Sequence, residues 1–496
     1  MDKHVAAPAP TPAAAPVSAP AASAHPARPA SAVPAPAPVD DNLAAAPPTG
    51  AANGGFKRTL TVFDLVIYGL ISMVPIAPFS IYASVFNASH GMPALTYLIA
   101  LGAMLFTVLS FGVMINRFPS SGSIYTYATK GIGKLVGFVA GWLMLLQYLV
   151  GPTLCYIMAG LALNQYVPAV PVWGWCLMFL AFTTFVALRG MKTTIAVNRV
   201  ALVGELLVLA LFLVLGVAYV IGHPATSGFS ATAFVNPSAF NFGDTMGAVS
   251  LAAFSYVGFG CVATLTQEAK DGKTGPSRAM MIMILLLGAM FVLTCFVATC
   301  VDPTGAVFAG NEDNGFYLVA QMVAGPWLGI LCAVAVALAQ GVFTGMVFEV
   351  SIVRVLYVMG RGGSLPRVLG RMDEKTGVPV VATLFVSGLS LAILPALLCL
   401  GMDEVAKVSN FGALSTYLIL NCTVIWYYWV RQKDHSNPWR LLVCPLLGMA
   451  VTLAVLASLS MVAHLVGIAW IVIGVAYYLV TTRVLRRDVD LGDAGA

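Results

Sequence analysis

Few ionisable side chains interrupt the apolar stretches of this 496-residue sequence, and each is a candidate for proton or cation chemistry. Glu205 lies about a turn and a half beyond the polar pair Asn198-Arg199 and is followed by Leu206-Leu207-Val208-Leu209-Ala210-Leu211, which projects it into the protein below the headgroups. A carboxylate there can load and release a proton as access alternates between the two sides of a membrane. The competing reading pairs it with Arg199 or lets it snorkel to the interface. Asp64 reads as a charge at a helix N-terminus. Glu268, followed by Ala269-Lys270-Asp271, reads as a solvated helix end, and Glu349, five residues before Arg354, as a gate or structural pair. His464 is the one histidine placed deep in a span, and so a functional candidate, but it falls in the last helix. Neutral polar groups are better represented: Gln147 and Tyr148, Gln340 and Thr344, then Asn410, Ser415 and Tyr417. Each can bond a solute or a neighbouring helix.

Other chemistries lack their residues. The nine cysteines contain no CxxC pair and have no histidine at metal-ligand spacing, so they read as small buried side chains. The six histidines show no axial pairing suited to haem. No triad or metal cluster is found, so no cofactor and no enzymatic activity are expected. The net charge of +5 comes from Lys and Arg scattered singly between apolar runs, which argues against nucleic acid as a partner.

The elements that must position these residues follow from composition. With 59% hydrophobic and 9% charged residues, and a mean hydropathy of +0.90, a soluble globular enzyme is excluded. Apolar runs of about 20 residues recur, each long enough to cross the hydrocarbon of a bilayer as a helix. Twelve spans are predicted, near 62–86, 94–116, 134–163, 172–188, 194–222, 243–268, 277–301, 327–353, 378–400, 405–430, 438–458 and 460–482. Residues 1–55 form an Ala/Pro-rich tail, with 18 Ala and 12 Pro in the first 50 positions, which cannot bury a core and is expected to be disordered. It lacks the apolar core of a signal peptide, so the first span is expected to be retained. With the N-terminus inside, 24 of the 25 basic residues fall on the inner side and only Lys407 outside. Both termini are therefore expected in the cytoplasm.

Two spans contain helix breakers. The first reads Gly69-Leu70-Ile71-Ser72-Met73-Val74-Pro75-Ile76-Ala77-Pro78, where the prolines free the carbonyls of Ile71 and Val74. The sixth carries Ser255-Tyr256-Val257-Gly258-Phe259-Gly260, whose glycines let the backbone unwind and a ligand approach. Breaks in spans one and six are what a five-plus-five inverted repeat requires, with discontinuous helices meeting near the midplane. Kinks and close helix packing are the alternative use of the same residues.

Three stretches resemble the amino acid, polyamine and organocation permeases, which have a LeuT-like fold. Arg117 to Ala128 looks like that family's Pro-x-x-Gly-Ser-x-Tyr-x-Tyr element, Ser255 to Gly260 its broken sixth helix, and Arg354 to Pro366 its span-eight exit, with Gly362 where an acidic residue usually stands. The resemblance covers roughly residues 56–430, and its nearest pattern is that of the bacterial putrescine-importer-like and amino acid permeases. Those importers typically show Leu-Asp-Tyr and Gly-Phe-Asp where this chain has Leu146-Gln147-Tyr148 and Gly258-Phe259-Gly260. Two carboxylates suited to a diamine are thus absent. Some members carry a span-five Lys in place of a sodium ion, and Glu205 falls near that position.

The expected fold is all-α and polytopic: a transporter core over 56–430 (repeats 56–222 and 243–430), two additional helices over 431–482 and a short tail over 483–496. The expected function is a secondary transporter in a bacterial inner membrane, moving a small amino acid, amine or polyamine by alternating access, with proton symport first and substrate exchange second. The substrate-binding candidates are Ser72, Met73, Val74, Pro75, Ile76, Gln147, Tyr148, Ser255, Tyr256, Gly258, Phe259 and Gly260, with Phe259 an apolar lid or ordinary packing. Glu205 and Thr344 are the candidates for proton or cation coupling. The last two spans read either as homodimer contacts or as packing and lipid-facing surface, and a non-transporting receptor or scaffold is the reading from another class.

Overall fold

The computed structural model describes residues 58–189, 191–224, 227–272, 274–373 and 377–484, without the side chains of residues 191–199 and 484. The Ala/Pro tail, the residues beyond 484 and the side chains of Asn198 and Arg199 lie outside the described residues. Among the described residues every element is helical, apart from a single bridge between Leu60 and Ala269.

Eleven of the described helices are long and apolar enough to cross a membrane, and a pair bent by 53° supplies a twelfth. In chain order, span 1 is that pair, Val62–Met73 and Pro78–Ala88. Spans 2 to 6 are Pro93–Arg117, Lys134–Asn164, Val172–Arg189, Val200–Gly222 and Phe242–Ala263. Spans 7 to 12 are Gly275–Val301, Pro326–Arg361, Val380–Leu400, Met402–Arg431, Trp439–Ala457 and Met461–Arg483. The chain is an all-α polytopic membrane protein.

The outer faces confirm the solvent. Leu207, Val214 and Ile221 on span 5 and Leu465, Ile468 and Val472 on span 12 are each more than half exposed, which only hydrocarbon makes inexpensive. Inside, helices approach closely through small residues. A Cβ built at Gly412 of span 10 would stand 2.9 Å from Gln147 N and 3.0 Å from Leu143 O of span 3, so glycine lets these two backbones touch. Span 12 is stapled to span 3 by a reciprocal pair: Trp142 Nε1 donates to Trp470 O at 2.8 Å and Trp470 Nε1 to Trp142 O at 2.7 Å, with the indoles stacked 5.0 Å apart. Both indole N–H groups are thereby satisfied in an apolar setting.

Span 1 opens with a capping box. Its hydrogen bonds are local: Thr61 Oγ1 accepts from Asp64 N at 3.2 Å, and Thr61 N donates to Asp64 Oδ2 at 3.0 Å, so Asp64 acts as the N-terminal helix charge its position implies. His464 departs from expectation. It lies in the first turn of span 12, Nδ1 2.9 Å from Ser460 O, because that helix begins at Met461.

Candidate functional site

Pro75 and Pro78 interrupt span 1 as their missing N–H groups require. The helix stops at Met73, Val74 enters φ 55°, and a turn in which Ala77 N donates to Val74 O at 2.8 Å leads to the second half at Pro78. A β-branched residue rarely takes positive φ, so Val74 holds backbone strain between the half-helices. The carbonyl freed by Pro75 finds another donor: Thr344 Oγ1 of span 8 reaches Ile71 O at 2.9 Å. Thr344 closes a π-helical stretch, Ala339–Thr344, an irregularity that turns it toward span 1. Thr344→Val removes that donor at nearly constant shape and leaves a buried carbonyl unpaired. It should cost about 1–3 kcal/mol, read as a lower melting temperature of the purified protein.

Span 6 does not unwind as its glycines suggest. It tightens into a 3-10 turn over Val257–Phe259 and resumes as α-helix at Gly260–Ala263, because Tyr256 to Gly260 all stay in right-handed helical backbone. The turn's carbonyls are taken up by side chains instead. Ser72 Oγ lies 2.8 Å from Gly69 O and 2.9 Å from Gly258 O, sharing its one proton between spans 1 and 6. Tyr417 OH of span 10 donates to Val257 O at 2.8 Å. Ser255 Oγ sits 3.1 Å from Tyr97 OH, and Tyr256 OH donates to Tyr97 O at 3.0 Å, holding this half to span 2.

Around Gly260 gather Phe111, Tyr148, Phe259 and Tyr417. Phe259 stacks on Tyr417 at 5.0 Å and meets the edge of Phe111 at 5.6 Å. Tyr148 OH is 3.8 Å from Cys261 Sγ, and a Cβ at Gly260 would stand 3.4 Å from that hydroxyl. Phe111 and Tyr417 belong to this wall although Phe111 was not among the sequence candidates; one aromatic in an apolar run carries no signal of the face it takes. Ser72, Met73, Val74, Ile76, Tyr256, Gly258, Phe259 and Gly260 are all buried at the junction, which is closed in this conformation. Gln147 is buried beside Gly412, its Nε2 unpartnered among the described residues.

Glu205 is 3% exposed, and neither carboxylate oxygen has a hydrogen-bond partner among the described residues. Its helix packs on the first half of span 1, on span 7 and on the π-helical part of span 8. Glu268 overturns the expectation of a solvated helix end. Its Oε1 accepts from Arg354 Nε at 2.8 Å and Nη2 at 2.7 Å, with both side chains buried, because the chain turns inward after Ala263. Thr59 N and Leu60 N donate to Glu268 O at 2.9 and 3.0 Å, and Lys270 N to Leu60 O at 2.8 Å, so the extended segment before span 1 seals the same end. Tyr68 OH completes the seal, 3.3 Å from Val347 O and from Ser351 Oγ. Glu349 is no partner of Arg354 in this seal; its Oε1 accepts from Ser387 Oγ of span 9 at 2.8 Å, since it leaves span 8 on the opposite face. The Pro119 to Tyr127 element packs on the span-8 exit through Tyr125 OH and Ser364 Oγ, 2.8 Å apart.

A groove of about 790 Å³, lined by Leu98, Leu101, Phe229, Phe234, Leu285 and Phe296, opens on the flank between spans 2 and 7 and is apolar like the membrane beside it.

A membrane-embedded helical bundle whose first span is broken at its core, and whose sixth is tightened against the break, is the architecture of a solute carrier. The chain belongs to the amino acid permease family, whose sequence profile matches residues 58–485. It is 30% identical over 440 residues to the low-affinity putrescine importer PlaP of Escherichia coli, covering 87% of this chain and 95% of that one. It is 27% identical over 462 residues to the branched-chain amino acid permease BcaP of Bacillus subtilis (86% and 93% covered). The methylthioribose transporter of the same organism is 23% identical over 461 residues (86% and 94% covered). The chain is a transporter.

Proposed function

We propose that this protein is a secondary active transporter that carries a small amino acid across a bacterial inner membrane by alternating access, driven by a proton. The basic ends of the spans face the cytoplasm with both termini, following the distribution of Lys and Arg. Spans 1–5 and 6–10 act as inverted repeats, with the two interrupted helices as the moving centre. Ser72, Tyr256, Gly258, Phe259 and Gly260 contact the solute when the junction opens, Gln147 and Tyr148 flank it, and Phe259 covers it.

The junction favours a zwitterion over a diamine. Phe111, Tyr148, Phe259 and Tyr417 supply apolar rings and hydroxyls, and none is a carboxylate or a cation. A diamine would bring a second ammonium without a counter-ion, whereas an amino acid carries its own.

The observation that supports the coupling assignment is the pair of oxygens on buried Glu205 that have no partner among the described residues. A buried carboxylate without a donor or cation is costly when ionised, and a proton relieves that cost. Thr344 stands at the neighbouring helix contact. The test is uptake into proteoliposomes of labelled neutral, acidic and basic amino acids and diamines, with and without an inward proton gradient. Gradient-driven accumulation of a neutral amino acid is expected, and Glu205→Gln should abolish accumulation while leaving exchange of internal for external solute. Full accumulation by Glu205→Gln would remove this residue from the mechanism, and exchange indifferent to the gradient in the unaltered protein would make it an antiporter.

A further inference from the structure

Away from the span 1–span 6 junction, a second buried carboxylate lies where spans 3, 4, 8 and 9 meet. Glu349 of span 8 is 1% exposed. Its Oε1 faces Ser387 Oγ of span 9 at 2.8 Å, its Oε2 has no hydrogen-bond partner among the described residues, and the hydroxyls of Thr183 and Thr184 on span 4 face the same carboxylate. Ser387 Oγ is also 3.0 Å from Thr383 O. Thr184 Oγ1 is 2.9 Å from Ser387 Oγ and 2.7 Å from Leu180 O.

The proton count of this chain is informative. A hydroxyl has one proton to donate, and Ser387 and Thr184 each have two acceptors in reach. With Glu349 ionised, Ser387 donates to Oε1 and Thr184 donates to Ser387. With Glu349 neutral, the acid donates to Ser387 Oγ, Ser387 turns to Thr383 O, and Thr184 turns to Leu180 O. Each arrangement gives every hydroxyl proton an acceptor. Passing between them takes the gain or loss of one proton at the carboxylate and the rotation of two hydroxyls, with no movement of a helix.

The surroundings leave the carboxylate's charge unfixed. Tyr156 and Cys155 of span 3 and Cys176 of span 4 are the titratable groups on that side, with Tyr156 OH held 2.8 Å from Thr183 Oγ1. Span 9 contributes hydroxyls. Arg354 on the same helix is engaged by Glu268, and Tyr68 of span 1 and Cys261 of span 6 lie at Ser351 on the opposite face. Among the described residues no cation is within ion-pair distance of Glu349.

We propose that Glu349, with Ser387 and Thr184, is a reversible proton-binding site in the junction of spans 3, 4, 8 and 9, separate from Glu205 and from the solute site. This holds whether or not Glu205 couples transport, and the experiment reads the site without transport. Infrared difference spectra of the purified protein are recorded across the pH range in which it stays folded, with glutamate carboxyl groups isotope-labelled to assign the protonated C=O band. A titrating glutamic acid band is expected in the unaltered protein and in Glu205→Gln, absent in Glu349→Gln, and shifted in frequency in Ser387→Ala, which keeps the acid but removes its partner. The proposal is overturned if Glu349→Gln leaves every titrating carboxyl band in place. Should Glu349→Gln fail to fold, the proposal is overturned equally if Ser387→Ala shifts none of the titrating bands.

Discussion

Alanine at position 258 should cut transport strongly and lower the melting temperature of the purified protein. A Cβ there would overlap Ser72 O and stand 2.6 Å from Ser72 C and 3.0 Å from Met73 Cγ. The obstacle is backbone, which cannot turn aside as a side chain can. Overpacking costs about 1–3 kcal/mol where side chains yield, and this position belongs at the upper end of that range. The crossing must also loosen the Ser72 bond to Gly258 O, which joins the two interrupted helices. Uptake should fall by roughly ten-fold or more, since about 1.4 kcal/mol corresponds to a factor of ten. Gly260→Ala is the control for stability: its Cβ would meet nothing closer than Tyr148 OH at 3.4 Å, an ordinary contact. An equal fall in melting temperature for the two variants would show that spans 1 and 6 do not cross as closely as described.

The second large effect concerns Glu268 and Arg354. Removing one member of a buried ion pair leaves the other charge uncompensated, at about 3–5 kcal/mol. Arg354→Met and Glu268→Met should each lower the melting temperature strongly, whereas the double variant should recover most of the loss, because two apolar side chains of similar length can fill the space between spans 6 and 8. Additive losses in the double variant would mean that the two residues act through other partners. If this end faces the cytoplasm as proposed, the double variant should also raise leak of preloaded solute, since the seal at this end would lose its ion pair and keep the Tyr68 contacts and the Leu60–Ala269 pairing.

The spans were legible because the length of an apolar run is itself the physical requirement for crossing a membrane. The break at Val74 was legible too, since Pro75 and Pro78 each remove a donor at a known position, and Thr344 supplies one of the replacements. What span 6 does was not. Glycine permits unwinding but does not compel it, and the neighbours Ser72 and Tyr417, distant in sequence, satisfy a tightened turn instead. Glu268 was misread for a related reason: an acidic residue at a helix end looks solvated until the chain's return path brings Arg354, 86 positions later, to its oxygen. Glu349 shows the reverse, where adjacency to Arg354 in sequence suggested a pairing that helical geometry directs elsewhere. Two residues five apart on a helix stand on different faces.

The stacked indoles of Trp142 and Trp470 have an optical consequence. Two stacked chromophores with centroids 5.0 Å apart and planes inclined by 23°, each locked by its own N–H, couple their excited states with the skew that optical activity requires. Such a pair produces a paired positive and negative band in near-ultraviolet circular dichroism that vanishes when either ring swings away. This protein thus carries a built-in gauge of whether its last helix stays docked on span 3 while the centre of the bundle rearranges, readable without any attached label.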